Sequence, residues 1–529
     1  MTLNHLRSLW AAGFPARRPV RNIFGQLLIL IALQAGLPAG ATVVNAVTPL
    51  GRAVSAASAA HPGTSGVLLV DTGRAALDER DALIDAAVHT IDAQYYIWNS
   101  DASGRYLAAR LLAAAERGVR VRILLDDINV AGRDAGLAAL TAHPRVEVRV
   151  YNPTAARSGV GRLFGFISEF SRLNRRMHNK SFTVDHAVTI VGGRNIGNEY
   201  FDLDPAKNFR DRDILAAGPV VAEVTAGFDA FWTSRWTQLA TTLAGDAPFS
   251  PEQLKAAQGR MDGAADELRA LGHALPAVRA APGSHAAGLI ARLLWVPVRL
   301  VFDLPPDQDG MADSSRPQAV AMALRALATA AQREILIESA YLILDEQTFA
   351  ETASLTAGGV KVRALTNSLA SNDLVTNHSG YARRRREMLD SGMEVFELRP
   401  DAGACQRLVV TAGGCADERE FALHSKSLVV DRRIAYVGSF NINLRSTYLN
   451  SETALIIDSP VLAERIAGSI EELMAPDSSW QVLRRASGGL EWRTETAAGP
   501  VVVTQEPMTG SWLRFKSRFF RMFPLEKYL

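Results

Sequence analysis

Apolar and polar positions along this chain alternate between two periods. Residues 75–88 carry apolar side chains at helical spacing, and IDAQYYIW at 91–98 is a β-branched and aromatic run of strand type. An Ala/Leu-rich helical stretch at 106–117 closes on Gly118, and VRVRILL at 119–125 alternates as another strand. The same order returns later: helical spacing at 318–332, a strand at 334–341 (EILIESAY), and a strand at 360–365 (VKVRAL) after Gly359. GVRVRILLDD, starting at Gly118, and GVKVRALTNS, starting at Gly359, share one pattern. Repetition at this scale predicts a duplicated domain, since solenoid repeats are far shorter. Alternating strands and helices predict α/β layers. The expected fold is two similar α/β halves, each a mixed sheet flanked by helices, packed about a pseudo-twofold axis.

The pattern divides the chain into a basic N-terminus with an apolar segment and linker (1–64), a first α/β domain (65–245), a linker with helical pieces (246–314), a second α/β domain (315–485) and a C-terminal segment (486–529). No acidic residue precedes Asp71, and Arg7, Arg17, Arg18 and Arg21 lead into an uncharged run at 24–44. That run is interrupted by Gln34 and Pro38 and ends near a small-residue sequence, Ala39-Gly40-Ala41. It is either a secretory signal or a membrane anchor. Both readings place the catalytic domain on the periplasmic side of the inner membrane, because the arginines stay cytoplasmic. Residues 43–66, rich in Ala, Ser, Gly and Thr, read as a linker. With 529 residues the chain has room for more than one domain, and its net charge of +2 is too balanced for a nucleic-acid coat, so no nucleic-acid partner is expected. Cys405 and Cys415 either close a loop as a disulfide or remain two thiols.

Each half ends in the same signature. RRMHNKSFTVDHAVTIVGGRN supplies His178, Lys180 and Asp185, then Asn195; FALHSKSLVVDRRIAYVGSFN supplies His424, Lys426 and Asp431, then Asn441. Residues two apart on a strand face one side, so each His points with its Lys. An acid opens an apolar run soon after each signature: Asp213 in RDRDILAAGP and Glu452 in LNSETALII. These residue types suit transfer at an anionic phosphodiester. Neutral imidazole attacks phosphorus, and a second, protonated imidazole gives its proton to the leaving oxygen. Lysines and asparagines hold the non-bridging oxygens as charge builds, and carboxylates orient the rings. The chemistry requires no metal or cofactor.

The paired His-x-Lys-x4-Asp signature resembles that of the phospholipase D superfamily. DAQYYIWNSDASG, NRRMHNKSF, GGRNIGNEYF, RDRDILAAGPVV, LTNSLASND, HSGYARRRREML and GSFNINLRSTYLNSE resemble its bacterial cardiolipin synthase group more closely. The resemblance covers most of the chain after about residue 65. It implies one shared active site and a phosphatidyl group transferred between phospholipids through phosphohistidine. It makes His178 the nucleophile and His424 the acid, with Glu452 orienting His178 and Asp213 orienting His424 from the opposite half. It also implies that His378 lines an acceptor pocket. SAYLILDEQ, starting at Ser339, lacks the Pro-Gly turn of the family pattern, a departure that bears on lipid specificity. Hydrolytic phospholipase D is the alternative activity, followed by a nuclease.

Two segments carry signals for a membrane surface. SWLRFKSRFFRMFPLEKYL at the C-terminus mixes aromatic and basic residues as an interfacial helix does. LFGFISEFSRLNRR at 163–176 is either an entrance for a lipid, with Arg175 and Arg176 clamping its phosphate, or an ordinary helix. The basic run at 383–386 reads as a solvated helix face.

Overall fold

The computed structural model describes residues 47–529, apart from 131–133, 155–168, 244–249, 277–285, 310–314, 410–419, 497, 524–525 and 529. The basic lead, the uncharged run at 24–44 and Cys415 lie outside the described residues.

The strands in chain order are β1 (Ser65–Val70), β2 (Thr90–Tyr95), β3 (Arg120–Asp126), β4 (Val146–Tyr151), β5 (Ser181–Val184), β6 (Val188–Gly192), β7 (Lys207–Arg210), β8 (Asp213–Ala217), β9 (Thr237–Leu239), β10 (Leu294–Val296), β11 (Val298–Phe302), β12 (Glu334–Ser339), β13 (Lys361–Asn367), β14 (Glu394–Leu398), β15 (Glu420–Leu423), β16 (Lys426–Val430), β17 (Ile434–Gly438), β18 (Thr453–Asp458), β19 (Ser479–Arg484), β20 (Leu490–Thr496) and β21 (Gly499–Val503). One sheet runs β10-β1-β8-β6-β5-β2-β3-β4-β9 and the other β11-β18-β17-β16-β12-β13-β14-β19-β20-β21. From β1 to β9 and from β11 to β19 the two orders correspond strand for strand. In each, three strands are parallel (β2-β3-β4 and β12-β13-β14) and the signature hairpin is antiparallel. The halves are therefore duplicates, each a mixed sheet as the apolar pattern predicts.

Period-two alternation sets the packing. Ile190 and Leu215 face a core within the first half, while their neighbours Val191 and Ile214 face a core shared with the second half. Leu455 and Ile457 of β18 join that shared core, and Ala454 and Ile456 turn to the second half's own. Each fully buried Leu or Ile contributes about 1.5–3 kcal/mol, so this common core fixes the two sheets against each other. Arg212 adds a polar pin. It is wholly buried, and it binds Asp71 of its own half at 2.7 Å and Glu338 and Ser427 of the other.

Two stretches expected to be linkers are structured. Residues 43–66 include α1 (Pro49–Ala60), which starts on a Thr48 cap and a first-turn proline and buries Leu50 and Val54. Within 246–314, β10 pairs with β1 and β11 pairs with β18, so the segment closes an edge of each sheet. Both stretches hide their signal in small residues or in short strands whose partners are distant in sequence.

Candidate active site

The signature strands end in tight hairpins. Asp185 and His186 both take positive φ near 51°, as do Asp431 and Arg432 at 53° and 54°. Two consecutive left-handed residues make a type I′ turn, which matches the twist of the flanking strands and favours Asp at its first central position. The Asp185 carboxylate accepts from the backbone N–H groups of Val88, His89 and Thr90 at 3.1, 2.7 and 3.0 Å. Asp431 does the same for Gln332, Arg333 and Glu334 at 2.9, 2.7 and 3.0 Å. Six residues of mostly extended chain separate each Asp from its His, about 20 Å. These two aspartates, expected in the catalytic set, tie the hairpin to the start of the neighbouring strand, β2 in the first half and β12 in the second.

At the other end of the hairpins the halves cross. Met177 bridges Ser451 in parallel, and the His178 N–H donates to the Ser451 carbonyl at 2.9 Å. Reciprocally, β15 pairs with β7, and the His424 N–H donates to the Arg210 carbonyl at 2.8 Å. Each histidine is thereby seated beside an acid of the opposite half. His178 Nδ1 lies 2.8 Å from Glu452 Oε2, and His424 Nδ1 lies 2.5 Å from Asp211 Oδ2. Both contacts leave Nε2 as the reactive nitrogen.

Glu452 stands beside His178, whereas Asp211 and not the expected Asp213 stands beside His424. Strand register gives the reason. Gly192 pairs with Asp213, whereas the equivalent Gly438 pairs with Ala454, so the counterpart of Glu452 is Asp211. Asp213 is buried between Arg80 at 3.0 Å and Arg194 at 3.2 Å, and Arg194 also donates to the Asp211 carbonyl at 2.6 Å. It shapes the loop that presents Asp211.

The lysines fold back on their own motifs. Lys180 Nζ donates to the His178 carbonyl at 2.6 Å and lies 5.4 Å from the Tyr96 ring centre. Lys426 donates to the His424 carbonyl and stands 3.0 Å from His424 Nδ1. Tyr96 meets the His178 ring edge-on, and Tyr200 meets that of His424. The asparagines diverge. Asn195 accepts from the Ile97 N–H and donates to the Tyr200 hydroxyl at 3.0 Å, so it positions Tyr200. Asn441 has a buried amide oxygen with no hydrogen-bond partner among the described residues.

Burial sets the electrostatics. It pulls the His178 pKa down to about 4, with Glu452 opposing and Lys180 adding to the fall, so the ring is neutral near pH 7. His424 moves in the same direction, by burial and then Lys426. Burial lowers Lys180 to about 7 and Lys426 to about 8, against the carboxylates nearby. Burial alone would raise Glu452 and Asp211, but the adjoining histidine and lysine hold both below the ordinary carboxylate range. The pocket thus combines neutral imidazoles, ionised carboxylates and lysines made less cationic by burial.

Further residues complete the site without a signature of their own. The Met177 N–H donates to Asp126 at 3.0 Å, and the Leu423 N–H to Asn367 at 2.8 Å. These paired positions end the repeated strands GVRVRILLD and GVKVRALTN, which is the signal that could have revealed them. Arg176 is turned towards Asp126 at 3.4 Å, and residues 163–168 of the expected lipid entrance lie outside the described residues. His378 is wholly buried against Tyr381, 3.6 Å from Glu506, in place of the expected acceptor pocket.

A family model described as "Cardiolipin synthase, PLD-like domain" matches this chain twice, at 81–232 and 324–474. Cardiolipin synthase C of Escherichia coli (strain K12) is 37% identical over 478 residues, covering 88% of this chain and 96% of the relative. An uncharacterised protein of Helicobacter pylori (strain ATCC 700392 / 26695) is 29% identical over 452 residues, 82% of this chain and 84% of its own. The crystal structure of phosphatidylserine synthase from Haemophilus influenzae Rd KW20 superposes with a TM-score of 0.56 at 13% identity, over 90% of this chain and all of that one, and so shares the fold. Matched in both halves and along nearly the full length of a close relative, the chain belongs to the cardiolipin synthase family of PLD-like proteins.

Proposed function

We propose that this protein is a phosphatidyltransferase that forms cardiolipin from phosphatidylglycerol and a second phospholipid. The observation that carries the reading is the crossed pair, His178 with Glu452 and His424 with Asp211, set in one buried site. His178 Nε2 attacks the donor phosphorus, and the P–O bond to the head-group alcohol breaks. His424, protonated as the bound anion offsets Lys180 and Lys426, gives its Nε2 proton to the departing oxygen. The acceptor lipid's hydroxyl then loses its proton to His424 and attacks phosphorus, and His178 leaves. Lys180, Lys426 and Asn441 hold the phosphoryl oxygens.

Hydrolysis uses the same first half and differs only in admitting water, and fold alone does not choose the acceptor. A membrane-surface helix favours lipid as acceptor. Helix Ser511–Phe520 exposes Trp512, Phe515 and Phe519, and Met522 and Phe523 extend the ridge. Among the described residues no helix is long and apolar enough to cross a membrane. The basic lead and uncharged run at 7–44 support attachment to the inner membrane with the catalytic halves on the periplasmic side. Disulfide-bonded Cys405 fits that compartment.

The test is incubation of detergent-solubilised protein with labelled phosphatidylglycerol, alone and with phosphatidylethanolamine, products being resolved by mass. Cardiolipin from the wild type and none from His178→Ala is the expected result. Phosphatidic acid without cardiolipin would make the protein a hydrolase.

A further inference from the structure

Away from the catalytic histidines, a cavity of about 520 Å³ opens between the helix Val375–Asp390, the β19–β20 turn and the C-terminal helix Ser511–Phe520. Its lining is dominated by arginine. Two of these are neutralised: Arg383 by Glu526 at 3.2 Å, and Arg385 by Glu397 at 2.7 Å and Glu506 at 2.5 Å. The basic run at 383–386 is therefore only partly a solvated face, since Arg385 is wholly buried in the cavity wall. Arg386, Arg485, Arg514, Arg518 and Arg521 also line the cavity; among the described residues none forms an ion pair within 4.0 Å, and Glu506, already paired with Arg385, acts on Arg521 only at longer range. Among the described residues Arg514 donates to the Thr509 carbonyl and hydroxyl. Burial and the neighbouring arginines depress the Arg521 pKa. Like charges gathered in a concave, partly desolvated place are stabilised by a bound anion.

The position of the cluster identifies the anion. Arg514, Arg518 and Arg521 lie on one side of the terminal helix, and Trp512, Phe515 and Phe519 lie on the other. With the aromatic ridge at the acyl boundary, long arginine side chains reach the level of lipid phosphates. We infer that this cavity is a second lipid site, outside the catalytic centre, that holds the phosphate head group of an anionic phospholipid. The inference rests on the reading that the terminal helix meets a membrane. Occupancy would seat the enzyme most firmly on membranes rich in anionic lipid.

The test is hydrogen exchange on the full-length protein with vesicles of phosphatidylcholine alone or mixed with phosphatidylglycerol, followed at residues 382–390 and 485–521. The expected result is protection of both segments by the anionic vesicles and of the terminal helix only weakly by the neutral ones. The triple variant Arg386→Gln, Arg485→Gln, Arg521→Gln, checked for an unchanged melting temperature, should need about a hundredfold more anionic lipid for equal protection. Full protection of that variant would overturn the assignment. So would equal protection by both vesicle types, which would leave the membrane helix standing. Equal protection by inorganic phosphate or by an oligonucleotide would replace lipid as the ligand. No protection by any vesicle would remove both the site and the membrane reading beneath it.

Discussion

The two halves hold their histidines with the same backbone but different side chains. Glu452 is enclosed by hydroxyls: Ser439 donates at 2.5 Å to the oxygen that faces His178, and Ser446 donates at 2.7 Å to the other. Asp211 has the Arg212 N–H at 2.7 Å and Lys426 close to its histidine. The counterpart of Ser439 is Gly193, where a Cβ would lie only 2.4 Å from Asp211 Oδ1. The shorter acid needs an empty position beside it, and the longer one uses the same position as a hydrogen-bond donor. In the proposed reaction the hydroxyl-bound Glu452 orients the neutral His178 for attack. Both imidazoles feel a lysine, but Lys426 stands 3.0 Å from the ring nitrogen of His424 whereas Lys180 contacts the His178 carbonyl, so in the proposed reaction a bound anion acts more directly on the proton affinity of His424. The difference matches an attacking and a proton-donating role.

The largest effect that separates the halves should come from His424→Ala. Turnover of lipids with alkoxide leaving groups should fall by about 10²–10⁴-fold, the range for general acid–base catalysis, while a nitrophenyl phosphodiester should lose far less. Equal losses for both substrates, read from initial rates, would erase the division of roles.

Asp211→Asn should lower kcat by about a hundredfold and barely change the melting temperature, because the amide keeps the shape but loses the charge beside His424. Asp213→Asn should do the reverse. Breaking its buried contacts with Arg80 and Arg194 costs about 3–5 kcal/mol, visible as a lower melting temperature with near-normal rates for the folded fraction. Swapped outcomes would restore Asp213 as the orienting acid.

The lysines give the comparison a pH signature. Both pKa values are lowered, so the cationic form that grips phosphate is present below them and lost above. The kcat/KM, which reports the free enzyme, should fall as pH rises through about 7 to 8, the values for Lys180 and Lys426. Lys180→Arg should move that limb to higher pH. An unmoved limb would assign the titration elsewhere.

Asp185→Ala should have the smallest effect on chemistry. It removes an acceptor from three N–H groups, costing about 2–4 kcal/mol of stability, with little change in rate per folded molecule. A large loss of kcat at constant stability would return Asp185 to the catalytic set.

Much of this architecture is legible in the sequence. The strand repeats and paired signatures identify the halves, because period-two patterning and a fixed His–Lys offset are local properties. The role of the motif aspartates is less legible. Asp in a left-handed turn looks like any other acid until its N–H partners, nearly a hundred residues away, are seen. The choice between Asp211 and Asp213 fails for a related reason. RDRD offers two acids two residues apart, and only the pairing of Gly192 with Asp213 and of Gly438 with Ala454 decides between them. The arginine cavity is absent from any one segment, since its walls come from three separated parts of the chain.

The most direct test is to quench the enzyme in denaturant at mildly alkaline pH, where a phosphorus–nitrogen bond survives, during turnover of a labelled donor lipid and locate the label by peptide mass spectrometry. A phosphatidyl group on the peptide carrying His178, lost in His178→Ala and accumulating in His424→Ala with a good leaving group, is the predicted result. Label on His424, or turnover with no histidine labelled, would contradict it.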